Sequence, residues 1–302
     1  MKITISNILK AGGKIICPLL FFIPSLYAFS SEIPSAQQAS DHEEKYEALI
    51  DSADRYAAIK NWTKAELFTL EAIRLQPAKK TNWLLWANLG EIRTNLERDD
   101  DAIEAYNIAL TLHPKSQKTL MGRARLLILN KRVKEALPDL TTLLTNDSTL
   151  EWPRIMRGFI LLDKGLTKEA AVDFSILNRL YPDNNRGYYG LGMAAQMEGR
   201  NDKAIEMFSK TIEIEPEEEA YLRLISLLAD EGKLMEASDR LREAMKQFPR
   251  NGNMFLLRAY LHKLNFQNDE AEIALKLANE YHADPHLFEI FFPKITKQER
   301  KK

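Results

Sequence analysis

The sequence is poor in the residues that most chemistry requires. Cys17 is the one cysteine among 302 residues, which leaves no disulfide framework and no set of thiolates for a metal. Neither charge is in excess: 42 Lys and Arg stand against 43 Asp and Glu, a formal −1. No general basic field therefore draws in nucleic acid or an anionic membrane. Phosphate loops are missing, because Gly13-Lys14 and Gly232-Lys233 lack both the upstream glycine and the hydroxyl residue that should follow. Gly190-x-Gly192-x-x-Ala195 imitates a dinucleotide fingerprint, but it lies inside a helical pattern with no strand before it. The histidines are His42, His113, His262, His282 and His286. His282, Asp284 and His286 come nearest to a ligand set, and Pro285 prevents their forming a helical i, i+4 pair. No nucleophile, base or metal set converges, so the sequence predicts no catalysis, no cofactor, no metal and no small-molecule substrate.

Long apolar runs are scarce as well. One run, Ile15 to Tyr27, is broken by Pro18 and Pro24 and is too short to span a bilayer. Lys2, Lys10 and Lys14 precede it, Ala28 and Ser30 follow it, and the first acidic residue is Glu32. Basic, then apolar, then small is the order of a secretory signal peptide, so residues 1–30 are read as one, cleaved after Ala28 or Ser30. An uncleaved N-terminal anchor is the alternative. A lipoprotein would need a small residue just before Cys17, where Lys14, Ile15 and Ile16 stand. Cleavage removes Cys17 and three of the 42 basic residues, leaving 39 against 43 acidic ones. Such an exported protein is held together by packing alone, and it meets a membrane only as the uncleaved precursor or through a partner. Residues 31–45 are polar and read as a flexible leader.

From Tyr46 onward one pattern governs. An alanine recurs at Ala65, Ala102, Ala136, Ala170, Ala204, Ala237 and Ala271, with spacings of 37, 34, 34, 34, 33 and 34 residues. Pro77, Pro114, Pro182, Pro216 and Pro249 mark the same frame, with Ser148 in the vacant place. Each period holds two amphipathic helical patterns with a glycine or asparagine between them. Gly165, Gly199 and Gly232 are expected to end first helices in a left-handed conformation, and Asn61, Asn130 and Asn265 lie within one residue of that place elsewhere. Gly or Ala at the eighth position (Ala53, Gly90, Ala124, Gly158, Gly192, Ala259) should let the paired helix approach, with the second-helix alanine as its partner.

Trp86, Leu89, Gly90, Ala102, Tyr106, Ala109 and Pro114 form one strong copy of this pattern; Tyr188, Leu191, Gly192, Ala204, Phe208 and Pro216 form another. Residue types and spacing resemble the tetratricopeptide repeat. The resemblance covers about 240 residues and implies an all-α fold, a right-handed α-solenoid of about seven helix-turn-helix units. These lie near 46–79, 83–116, 117–150, 151–184, 185–217, 218–251 and 252–283, followed by a capping segment and basic tail over 284–302. Units three and four depart from the pattern with Arg123, Arg154 and Arg157 at large apolar positions, and Lys79 to Thr81 reads as an insertion.

In the family, the second, fifth, ninth, twelfth and thirteenth positions of each first helix line a groove that takes a protein or peptide. Transferred here, these are Lys118, Met121, Arg125 and Ile128 in unit three, and Trp152, Ile155, Phe159 and Leu162 in unit four. Unit five supplies Arg186, Tyr189, Met193, Gln196 and Met197; the last two units supply Leu222, Ser226, Asn253, Leu256 and Tyr260. The lysines and asparagines with which chaperone-tail binders hold a C-terminal carboxylate are absent. Aromatic and methionine side chains suit adaptable binding of apolar groups. Met121, Arg125, Trp152, Ile155, Phe159, Arg186, Tyr189, Met193, Met197, Leu222 and Tyr260 are therefore the candidate contacts of a peptide or partner protein, unless neighbouring first helices bury them against each other. The reading is a non-catalytic interaction scaffold in a bacterial-type periplasm or at the cell surface. Its alternative is an accessory subunit of an envelope complex whose groove is filled by its own Phe288–Phe292 segment.

Overall fold

A computed structural model describes residues 36–292. Expectations about the signal peptide, residues 31–35 and the tail from Lys294 lie outside those residues. The chain divides into two compact units, Met1–Lys45 and Tyr46–Lys302. Of the first, residues 36–45 are described, and they are helical. The leader reading thus fails from Ala36 onward: Ala, Gln, Glu and Lys run to Ala58 without a glycine or proline, a composition that favours helix.

Fifteen helices make up the described residues. They pair as α1 (Ala36–Ala58) with α2 (Trp62–Leu75), α3 (Asn82–Asn95) with α4 (Asp99–Leu112), and α5 (Gln117–Leu129) with α6 (Val133–Asn146). Next come α7 (Glu151–Asp163) with α8 (Thr167–Leu180), α9 (Asn185–Met197) with α10 (Asn201–Ile214), and α11 (Glu218–Asp230) with α12 (Leu234–Gln247). Then α13 (Gly252–Leu264) pairs with α14 (Asn268–Glu280), and α15 (Pro285–Phe291) stands alone. Seven helix pairs therefore occupy the frame read from the alanines. The long first interval is also explained: α3 has 14 residues where α5 has 13, and six residues (76–81) precede it where four (113–116) precede α5.

Inside each pair the turn is built one way whatever residue occupies it. Gly165, Gly199 and Gly232 have φ of 74°, 71° and 73°. The asparagines do not take this role. The left-handed residue is the neighbouring Lys60, Lys131 or Phe266, and Glu97 in unit two. In each case the residue after it donates its N–H five residues back, as Arg98 does to the Arg93 carbonyl and Arg200 to that of Ala195, both at 2.9 Å. That bond closes the helix end, and it outweighs the strain of a side chain at positive φ.

The small eighth residue does admit the second helix, but its partner differs from the one expected. A Cβ on Gly90, Gly158 or Gly192 would lie 2.6 to 2.7 Å from the ring of Tyr106, Phe174 or Phe208, four residues beyond the alanine. Tyr106 and Phe174 also press on the next unit, at Gly122 and Gly190. Each ring is wedged between two glycines of successive first helices. Where Leu140 replaces the aromatic, Ala124 suffices; in unit six Leu241 is accompanied by Ile225, which is fully buried.

The arginines at apolar positions are paired with buried carboxylates. Arg123 grips Asp139 through Nε and Nη2, at 2.8 and 2.6 Å. Arg157 holds Asp173 in the same way, at 2.8 and 2.7 Å. Arg154 adds a third bond to Asp173 at 3.0 Å and reaches the Ser148 carbonyl, at the place where other units have proline. Burial lowers the Arg154 pKa below the usual arginine range, with Asp173 opposing that shift. Asp173→Ala strands two guanidiniums, one of them buried, and is expected to cost about 3–5 kcal/mol. Asp139→Ala, next to the better solvated Arg123, should cost less; chemical denaturation of both variants measures the difference.

Candidate partner-binding face

The eleven residues read as contacts fall into five environments. Ile155 and Leu222 lie in the core, 8% and 7% exposed, as do the neighbouring groove positions Leu162 and Leu256. They are not available to a partner, because they belong to buried clusters built from first and second helices alike. Phe159 and Tyr189 are half-buried links in a continuous file of rings. Phe159 meets Phe174 edge-on at 5.1 Å and Tyr189 at 6.2 Å, and Tyr189 lies 5.8 Å from Phe208. Met193 packs beside them against the clusters on both sides.

The polar end of Tyr189 is committed too. Its hydroxyl accepts from Arg223 Nε at 2.7 Å and donates to Glu219 at 3.3 Å, and burial raises its pKa. Arg186 is 3.5 Å from Glu217. At the far end, Tyr260 donates to Asp230 and its ring lies tilted against Phe291 of α15, centroids 4.8 Å apart. With Leu287, Phe288 and Phe292, α15 covers the Phe255, Leu256 and Ala259 side of α13, so Tyr260 lies beneath a cap. Ile290 stays 54% exposed at the edge of this cap. Asp284, from the suspected ligand trio, accepts the His286 N–H and caps α15. Among the described residues no cluster of three or more His, Cys, Asp or Glu is poised for a metal.

Met121, Arg125, Trp152 and Met197 are open to solvent wholly or in part. A cleft of about 420 Å³ runs between α3 and α5, lined by Glu91, Thr94, Asn95, Lys118, Met121, Arg125 and Leu129. The Arg125 guanidinium stands 5.0 Å over the Trp152 ring, which carries the surface on to α7. Lys118 bridges to Glu91 at 3.3 Å across the cleft. Burial lifts the Tyr106 phenol in its floor to about 12. Leu129, which the sequence reading passed over, is 75% exposed and occupies the repeat position that Met197 has in unit five. The 34-residue frame was the signal that could have found it.

The tetratricopeptide repeat family matches residues 83–150 and, separately, residues 186–218. This is a tetratricopeptide repeat protein. Solved structures share the fold. A tetratricopeptide repeat protein from Parabacteroides merdae aligns with a TM-score of 0.58 at 22% identity, over 83% of this chain and 98% of its own. YrrB, described as a TPR protein with an unusual peptide-binding site, aligns at 0.53 and 20% identity, over 62% and 95%. The protein MamA aligns at 0.51 and 18% identity, over 57% and 93%. No curated protein sequence matches the chain significantly. The tetratricopeptide array is an interaction scaffold in architecture: first helices present one face, and second helices hold them in register.

Core and face are separable by mutation. Ile155→Ala and Leu222→Ala should each cost about 2–5 kcal/mol through the cavities they leave, whereas Met197→Ala should stay within about 0.5 kcal/mol. Urea unfolding of the three variants measures both effects.

Proposed function

We propose that the array binds a polypeptide along the first helices of units two to five, and that it acts as a non-catalytic scaffold. The observation that carries this reading is the cleft between α3 and α5 with its continuation across Arg125 and Trp152. It combines exposed Leu129 and half-exposed Met121 with an arginine that has no carboxylate partner among the described residues. An occupant with apolar anchors and an acidic or carbonyl group opposite Arg125 fits that surface. The peptide-binding site attributed to YrrB supports a polypeptide ligand on this fold. The aromatic file of Phe159 and Tyr189 is better read as the wall behind the site than as its contact surface. The accessory-subunit reading, with the groove filled by the chain's own tail, is less favoured because α15 packs as a cap on α13.

Arg125→Glu with Met121→Glu alters this face at one exposed and one half-exposed side chain, neither of them buried. A polypeptide that accompanies the tagged protein from its native cells should be lost from this variant, while its unfolding midpoint stays close to that of the parent. Recovery of the same companions with both proteins would overturn the groove reading.

We place the protein outside the cytoplasm, in a bacterial-type envelope, on the basic–apolar–small order of residues 1–30. Sequencing the N-terminus of the cellular protein should find it beginning after Ala28 or Ser30; a chain that retains Met1 to Lys14 excludes cleavage. Among the described residues no helix is long and apolar enough to cross a membrane.

A further inference from the structure

A second cleft, of about 330 Å³, opens between α12 and α13 at residues outside the groove positions. Its apolar lining is Leu241, Met245 and Leu261, and its polar lining includes Arg242, Arg258 and His262. Arg258 occupies the repeat position of Arg123 and Arg157. There the guanidinium finds its acceptors at fixed offsets. Arg123 bonds Asn107 sixteen residues before it and Asp139 sixteen residues after it, and Arg157 bonds Asp173 sixteen residues after it.

For Arg258 the same offsets fall on Arg242 and Ala274. The acceptor on one side has become a second cation, and the carboxylate on the other has become a methyl group. Arg242 is paired with Asp239 at 2.8 Å. Arg258 makes a 3.4 Å bond to His262 Nε2, whose ring is fixed through Nδ1 by Gln267 at 2.8 Å. Among the described residues no carboxylate pairs with Arg258, and the cleft opens beside it. We propose that this cleft binds a carboxylate carried on an apolar group, the ligand supplying from outside the acceptor that units three and four supply from within. The arginine forks the carboxylate, Arg242 adds positive potential, and Leu241, Met245 and Leu261 receive the apolar part.

The ligand chemistry is common to a free small acid and to the C-terminus of a polypeptide, and calorimetric titration at low salt distinguishes them. The probes are N-acetyl-leucine and a peptide ending in leucine, each as the free acid and as the amide. The acids should bind and the amides should not. Binding of the small acid assigns a free carboxylate, and binding of the peptide acid alone assigns a chain terminus. Arg258→Met should weaken binding roughly tenfold or more, the loss expected from one charge-assisted hydrogen bond. Ala274→Asp, which restores the internal acceptor, should do the same while the circular dichroism of the array is retained. Failure of every acid to bind, equal binding of acids and amides, or undiminished binding by Arg258→Met would each overturn the proposal.

Discussion

The distance to which two antiparallel helices can approach governs this array. Tyr106 and Phe174 each lie against a glycine of their own unit and a glycine of the next, so one ring sets both the angle within a pair and the step to its neighbour. A buried aromatic contributes a large apolar area only if its surroundings close around it without a void. Here glycine permits the closure, because any Cβ at those positions would overlap the ring. The array is therefore stabilised through nearest neighbours, as expected of a stack whose units cannot bury their faces alone.

Units three and four solve the same packing problem with charge. Leucine at the seventh position is replaced by Arg123 and Arg157, and in the same two units Asp139 and Asp173 appear on the second helix. Such pairs add less net stability than leucine packing, since both ions must leave water, but they tolerate only one geometry. They act beside many polar ties between successive units, such as Asn253 to Glu218 and Lys233 to Asp202. Unit seven keeps the arginine and lacks the aspartate.

Much of this was legible in the chain itself. The alanine and proline spacings located all seven pairs, because a repeat that must stack on copies of itself cannot drift in length. The groove positions were less legible. Their offsets are correct on the helix surface, yet Ile155 and Leu222 became core while Met197 stayed in water. Which side of that divide a residue falls on depends on the bulk of its neighbours on adjacent first helices, and a one-dimensional pattern does not contain that. Tyr260 is partly covered by a helix that the repeat frame does not include.

The sequence by itself determined the fold class, the number of units, the places where helices turn and the absence of a catalytic motif, since these follow from local periodicity and residue type. The tertiary structure decided which residue bends at each turn, which carboxylate answers each arginine, and which apolar side chains remain exposed. The arginine pairs and the exposures depend on partners half a period or more away in the chain, brought within a few ångströms by helix pairing and stacking. A lone arginine at an apolar position is ambiguous in sequence; the company it keeps in space makes Arg157 a brace and leaves Arg258 facing an open cleft.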